Sequence, residues 1–304
     1  MKNPASHEDT GEHSMPAVFP KGLLLRALQV DLAARSHTGN VRPNNEDHYL
    51  VVRFGRTLQT LLTNLPEGQV PNQFEEMGYG MVVADGMGGS AAGEIASQMA
   101  ISTLVALALD TPDWILGEST PETERVLQRM AQRYQRVDAV LNEQAVLDPS
   151  RSGMGTTMTL ACSLGFQLIL AHLGDSRVYL LREGALHQIT RDHTLAQAMV
   201  DVGMLPRDAA ATHRLRHALT RVLGGGKGQA EPEVHRLRLA DQDQVLLCTD
   251  GLTDMVANVT IGTVLQEAAT ADQACQTLVE LALKQGGKDN VTVVLARYRF
   301  APEA

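Results

Sequence analysis

The chain has few of the residue patterns that mark common chemistries. Only three cysteines occur in 304 residues, Cys162, Cys248 and Cys275, far apart and without a CxxC pair. That fits buried free thiols in a reducing compartment. None is followed six residues later by arginine, so the C-x5-R loop of cysteine-dependent phosphate chemistry is absent. No basic tract offsets the formal net charge of −9. Nucleic acid and anionic membrane are therefore poor partners. No run reads as long and apolar enough to cross a bilayer. Residues 1–20 carry Lys2, Glu8, Asp9, Glu12 and three prolines, and lack the apolar core of a signal peptide. A cytoplasmic location follows. The ten histidines form no HExxH and show no zinc-ligand spacing. Gly224-Gly225-Gly226-Lys227-Gly228 lacks the spacing and the hydroxyl residue of a phosphate-binding P-loop, and reads as a hinge. No internal repeat or low-complexity tract is visible.

What is present is a hydrophobic content of 44%, enough for a well-buried core. Residues 1–22 read as a flexible extension, and a compact domain is expected over 23–300. Strands are expected at Leu28–Ala34 and Asp47–Val52. In 53–78, Leu58, Leu61 and Leu62 followed by Pro66-Glu67-Gly68 suggest a short helix and loop inserted in a hairpin. Residues 92–109 have the spacing of a largely buried helix. A second helix should start at Thr120-Pro121, with Glu122 and Glu124 at its positive end, and continue past Leu141. Thr157–Ser163, Gln167–Leu173 and Val178–Arg182 read as a meander with turns at Leu164-Gly165 and Glu183-Gly184. Residues 190–228, with His193, His213 and His217, read as a polar, mobile, partly helical segment between sheet elements. Strands return at Val234–Leu239, Gln244–Thr249 and Asn290–Tyr298, with a helix over Ala271–Lys284. The sequence ends just after that strand, so neither a C-terminal linker nor a membrane anchor is expected. Two tandem helices followed by strands imply a helical layer on a sheet.

Four aspartates stand at the ends of apolar runs. Val82-Val83-Ala84 leads into Asp85-Gly86, and Leu168–Leu173 leads into Gly174-Asp175. Val245–Thr249 leads into Asp250-Gly251, and Asp289 precedes Val291–Leu295. Strand ends packed side by side would gather these carboxylates at one rim. Such a cluster is costly unless something neutralises it, and a divalent cation is the usual solution. Oxygen-only ligands from scattered loops suit Mg²⁺ or Mn²⁺.

Each segment alone has a plainer explanation. Asp85-Gly86-Met87-Gly88-Gly89 is a glycine-rich turn and cap. Gly174-Asp175-Ser176-Arg177, Thr249-Asp250-Gly251-Leu252 and Gly287-Lys288-Asp289-Asn290 are turns. Arg42, ahead of Asn45-Glu46-Asp47, is a solvated loop arginine. Together and in this order they are not explained by turns. With Gly93-Glu94, Gly153-Met154-Gly155-Thr156-Thr157 and Asp192-His193, they resemble the PPM/PP2C family of metal-dependent Ser/Thr protein phosphatases, bacterial type. The resemblance spans about residues 30–298, and it implies that residues around 192–225 are the family's variable flap beside the active site.

The resemblance implies an α+β fold: a four-layer αββα sandwich of two antiparallel sheets flanked by helices. It implies two Mn²⁺ or Mg²⁺ ions, or three. Asp85 would bridge two metals, with Asp250 and Asp289 completing the first. The Gly86 carbonyl would serve the second, with waters held by Asp47 and Glu46. Asp175 with Asp250 would form the third site, and Arg42 would bind substrate phosphate. In such a centre two ions roughly 3.5–4 Å apart activate a bridging hydroxide for in-line attack on a phosphomonoester, with no phosphoenzyme. The catalytic set is then Asp85, Asp250 and Arg42. Phosphoserine and phosphothreonine proteins are the implied substrates, with a Ser/Thr kinase and its targets as partners and the chain a monomer.

The chain departs from the family pattern in three places. Met87 replaces the histidine that eukaryotic members often carry after Asp-Gly, which leaves the leaving-group proton donor open. His193 in the flap is one candidate, although a structural role is the plainer reading. Residues 53–78 exceed the usual hairpin, and the leading tail belongs to no motif. Two other functions compete with an active protein phosphatase. One is a catalytically silent phosphoprotein-binding regulator, which loss of a metal aspartate would favour; none is lost. The other is a metal hydrolase of small phosphoesters.

Overall fold

The computed structural model describes residues 28–66, 68–88, 92–111, 120–226 and 230–300, the side chains of 120–123 excepted. The expected N-terminal extension, Gly89, and Lys227-Gly228 lie outside the described residues.

Two antiparallel sheets pack face to face. The smaller has five strands in the order β1 (Leu28–His37), β12 (Val291–Phe300), β11 (Gln244–Cys248), β7 (Arg177–Arg182), β8 (Ala185–Gln188). The larger has seven. Its path runs β10 (Glu233–Arg238), β6 (Gln167–Leu173), β5 (Met158–Leu164), β3 (Gln73–Met87), β4 (Gly155–Thr156), β9 (Leu223–Gly224), and β2 (Asp47–Gln59) pairs with β3.

Both sheets are covered on both faces, and this explains the unbroken apolar runs. Along β3, Met81 and Val83 face the other sheet while Val82 and Ala84 face helices. Along β11, Val245 and Leu247 point inward and Leu246 and Cys248 outward. Tyr298, Leu170, Val178 and Val294 complete the layer between the sheets. On the larger sheet lie α1 (Ala92–Asp110) and α2 (Thr120–Leu147), through Ala96, Ala100, Ile101, Leu104, Met130, Val137 and Leu141. On the smaller sheet lie α4 (Asp250–Thr253), α5 (Asn258–Glu267) and α6 (Ala271–Lys284), through Leu252, Ile261, Leu265, Cys275 and Leu278. The architecture is the expected helix–sheet–sheet–helix sandwich.

Four expectations need correction. Among the described residues of 53–78 there is no inserted helix: β2 continues to Gln59, and Arg53 through Gln59 pair with Tyr79 through Gln73. Phe54 stands over Gly78, where a Cβ would meet its ring at 2.5 Å. Aromatic cover of a strand glycine favours the ladder over the helical spacing. Leu61 and Leu62 are left 79% and 95% exposed. Second, Val178–Arg182 is not the third strand of a meander. The chain crosses from β6 into the other sheet at Gly174-Asp175-Ser176, and β7 pairs with β11 and β8. Gly174 has φ +119, and a Cβ there would strike Thr157 at 2.5 Å. Third, α1 is by length and composition apolar enough to span a bilayer. Here it packs on β3 and α2 as a core helix. Fourth, α5 was not expected, because its N-cap Ala257 makes no side-chain cap and its hydrophobic spacing is weak.

Tyr134 of α2 is fully buried, and its hydroxyl reaches Ala171 O at 2.8 Å and Met158 O at 3.2 Å. It pins the helical layer to β5 and β6. Tyr134→Phe removes the hydroxyl and is expected to cost about 1–2 kcal/mol. Urea unfolding with an unchanged slope is the check; no shift in midpoint would refute the pinning role.

Candidate metal and phosphate site

The acidic residues gather where the ends of both sheets meet. Asp47 and Asp85 are directly opposed partners on β2 and β3. Asp175 lies in the crossover into β7. Asp250 opens α4 just after β11, and Asp289 precedes β12. Asp85, Asp175, Asp250 and Asp289 line one cavity of about 620 Å³, together with Arg42, Glu46, Gly86, Met87, His217 and Asp254. Asp47 does not line it. It lies beneath, 4% exposed, with Thr249 Oγ1 donating to its Oδ2 at 2.8 Å.

Backbone proximity builds the rim. Gly86 N donates to Glu46 O at 3.2 Å, and a Cβ on Gly86 would lie 2.1 Å from Gly93 O. A Cβ on Gly251 would lie 1.9 Å from Asn290 O. Any side chain at either position would force these loops apart. Asn290 is a three-way staple. Its Nδ2 donates to Thr38 O and Asn44 O, both at 2.8 Å, and its Oδ1 accepts from Glu46 N at 2.8 Å. The loop bearing Arg42 and Glu46 is thereby fixed beside Asp289. Thr157 does the same for Asp85: its Oγ1 accepts from Asp85 N at 3.1 Å and its N donates to Asp85 O at 2.9 Å.

The cluster is short of positive charge. Burial, then repulsion from Asp250 and Asp289, raises Asp47 to about 7. Burial, then Asp47, Asp250, Asp175 and Asp289, holds Asp85 well above the carboxylate range. Burial and Asp250 do the same to Asp175, and burial raises Glu46. Two buried carboxylate oxygens, Asp47 Oδ1 and Asp250 Oδ1, have no hydrogen-bond partner. Orphaned buried oxygens beside other carboxylates are what a hard divalent cation satisfies. The donor set, all oxygen apart from His217, fits Mg²⁺ or Mn²⁺.

Arg42 Nη2 pairs with Asp289 Oδ2 at 2.6 Å. His217, which sequence reasoning noted only as a flap histidine, reaches the site: Nδ1 is 3.3 Å from Asp250 Oδ2, and Nε2 is 3.1 Å from Asp254 Oδ2. Those contacts with Asp250 and Asp254 raise it to about 10. His193 does not line the cavity. Its N donates to Gly174 O at 2.7 Å and its Nδ1 accepts from Gly174 N at 3.1 Å. Burial, then Arg221, lowers it to about 4. This histidine is a clamp on the Asp175 crossover, matching the structural reading.

A pH dependence follows for the metal-free protein. A carboxyl with a higher pKa folded than unfolded binds more protons when folded, so stability falls as pH rises through that interval. For Asp47 the interval runs from the unfolded value near 3.9 to about 7. His217, also raised, acts in the same direction above its unfolded value near 6.5; His193 and His172, lowered by burial to about 4 and about 3, act oppositely below that value. In chelator, the melting temperature is expected to fall between pH 6.5 and 7.5, and Asp47→Asn to flatten that slope. A melting temperature that rises over this range in wild type would refute the charge-deficient cluster.

Known proteins resemble this chain over most of its length. The protein phosphatase 2C family profile matches residues 73–290. The serine/threonine protein phosphatase PstP of Mycobacterium tuberculosis is 39% identical over 269 residues, 88% of this chain. The chain spans 45% of that relative's length. Protein phosphatase PhpP of Streptococcus pneumoniae is 30% identical over 268 residues, covering 88% of this chain and 96% of PhpP. A crystal structure of the PstP catalytic domain with two manganese ions superposes with a TM-score of 0.69 at 35% identity, over 90% of this chain and 99% of that one. The chain belongs to the protein phosphatase 2C family.

Proposed function

We propose that this chain is a metal-dependent protein serine/threonine phosphatase, with residues 23–300 as its catalytic unit. The observation that carries the reading is the convergence of Asp85, Asp175, Asp250, Asp289 and Arg42 on one cavity. In this reading Asp85, Asp250 and Asp289, with the Gly86 carbonyl, hold two divalent cations, and Asp175 with Asp250 holds a third. Asp47 would act from beneath and Glu46 from the cavity wall, both through water. When bound, the cations would supply a nucleophilic water at neutral pH and offset charge on the phosphate.

The chain's own residues do the rest. Arg42 offers a guanidinium on a fixed loop at the cavity mouth, suited to a two-pronged grip on phosphate. The staple at Asn290 holds that loop, so little ordering is left to substrate binding. Met87 lines the cavity but has no proton to give, and His193 is committed to Gly174, so neither serves as leaving-group acid. No cysteine lines the cavity, in keeping with direct attack rather than a covalent intermediate. The proposed substrates are phosphoserine and phosphothreonine proteins, a Ser/Thr kinase and its targets among them. Three free thiols suit a reducing, cytoplasmic compartment.

Phosphate release from a phosphothreonine peptide, with Mn²⁺, Mg²⁺ or EDTA, tests the reading. Turnover is expected with metal only, and Asp250→Asn should reduce it by about 100-fold or more, comparable to losing a main electrostatic contributor. Near-normal turnover of folded Asp250→Asn would sink the ligand assignment. Faster hydrolysis of small phosphoesters than of phosphopeptides would shift the substrate class. Arg42→Ala removes charged hydrogen bonds worth about 1.5–3 kcal/mol, so KM for the peptide should rise roughly tenfold or more, with a smaller fall in kcat. An unchanged KM would reject the phosphate-gripping role.

A further inference from the structure

His217 stands apart from the other groups round the cavity. It is carried by the segment between α3 (Leu195–Asp201) and β9, and it is the one imidazole among the cavity's described lining residues. The ligand atoms of Asp175, His217 and Asp250 all lie within 4.8 Å of one another. The two oxygens of Asp250 are sorted. Oδ2 faces His217 Nδ1 at 3.3 Å, whereas Oδ1 is buried without a partner. One carboxylate can thus serve an ion on each side. Asp175 is 7% exposed, and no side chain among the described residues hydrogen-bonds its carboxylate.

The far side of the ring completes the pattern. Asp254 Oδ2 lies 3.1 Å from Nε2. If Nε2 donates to that carboxylate, the proton is fixed there and the Nδ1 lone pair is turned toward Asp175 and Asp250. A carboxylate that orients an imidazole in this way is the usual support of a metal-binding histidine. The backbone just after the ring is held as well. Leu195 N donates to Ala218 O and Thr220 N to His193 O, both at 2.8 Å.

We propose that His217 is a protein ligand of a divalent cation held between Asp175 and Asp250, so that the ion itself fastens the α3–β9 segment over the site. The inference rests on the reading of those two aspartates as ligands given above. Its chemical consequence is selectivity. An imidazole nitrogen beside two carboxylates suits Mn²⁺ and Zn²⁺, whereas an all-oxygen pair with water suits Mg²⁺ equally well. The opposing arrangement is a plain ion pair, in which the protonated ring stands where a cation would otherwise sit. The two differ in sign: removing a ligand weakens metal binding, and removing a competing cation tightens it.

The experiment starts from metal-stripped full-length protein and follows Mn²⁺ binding by titration calorimetry and by the electron paramagnetic resonance of free Mn²⁺. Wild type, His217→Ala and His217→Gln are compared, with circular dichroism as the check on folding. The weakest Mn²⁺ class is expected to lose at least about tenfold in affinity in both variants, with the tighter classes unchanged and Mg²⁺ binding little altered. Pulsed resonance of the Mn²⁺-loaded wild type should show coupling to an imidazole nitrogen that is absent from the variants. That measurement on wild type decides the matter even where a variant fails to fold. Unchanged or tighter Mn²⁺ binding in the variants, or no nitrogen coupling in wild type, would overturn the proposal. Tight Mn²⁺ binding in wild type without a weaker class would overturn this inference alone and leave the proposed function standing. No Mn²⁺ binding at all would overturn both.

Discussion

The structure turns on the repulsion among carboxylates at the junction of the two sheets. Asp47 and Asp85 face each other across a β-ladder, with Asp175 and Asp250 close by, and all are raised or left with orphaned oxygens. No hydrophobic gain explains such a cluster. It persists because the surrounding scaffold over-determines it: sheets buried on both faces, Tyr134 bridging helix to strand, and loops drawn to backbone contact at Gly86 and Gly251. Local instability at a site held by a rigid frame is how a protein stores affinity for a counter-charge.

The frame also determines which loops can move. The Arg42 loop is fastened by Asn290, which stands just before β12 and bonds Thr38, Asn44 and Glu46, by Asn45 to Ser36 of β1, and by Asn40 to Leu283 at the end of α6. The α3–β9 segment is tied at Thr194 and Leu219, through Thr220 to His193, and through Arg216 and His217 to Asp254. In the proposed function the Arg42 loop would grip phosphate, and the α3–β9 segment, which brings Arg216 and His217 to the same cavity, would meet the rest of the substrate.

Much of this was legible in the sequence for a specific reason. Each aspartate ends or begins an apolar run, and runs buried on both faces are unbroken, so strand ends are sharp. What was not legible depends on distant partners. Whether Val178–Arg182 joins the first sheet or the second is decided by pairing with β11, some 65 residues on. The strand character of Arg53–Gln59 rests on its ladder with β3 and on the ring of Phe54 over Gly78, while the leucine spacing nearby mimics a helix turn. Asn290 sat in a quoted motif, but its three bonds reach residues about 250 positions away. His217 was one polar residue in a polar segment, and nothing local separated it from His213. Placement beside Asp250 and Asp254 is what distinguishes it.

Arg42 and Asp289 tie these points together. The carboxylate proposed for a metal and the arginine proposed for a phosphate are in contact at 2.6 Å. While Asp289 has no cation beside it, its full charge is available to Arg42, and the guanidinium is held by the protein. A cation at Asp289 would withdraw that charge and weaken the pair. Arg42 would then be free to exchange a protein carboxylate for a phosphate of greater charge. In the proposed function, metal loading and phosphate recognition would be coupled by that one side chain, and the site would have little grip on phosphate until it could act on it.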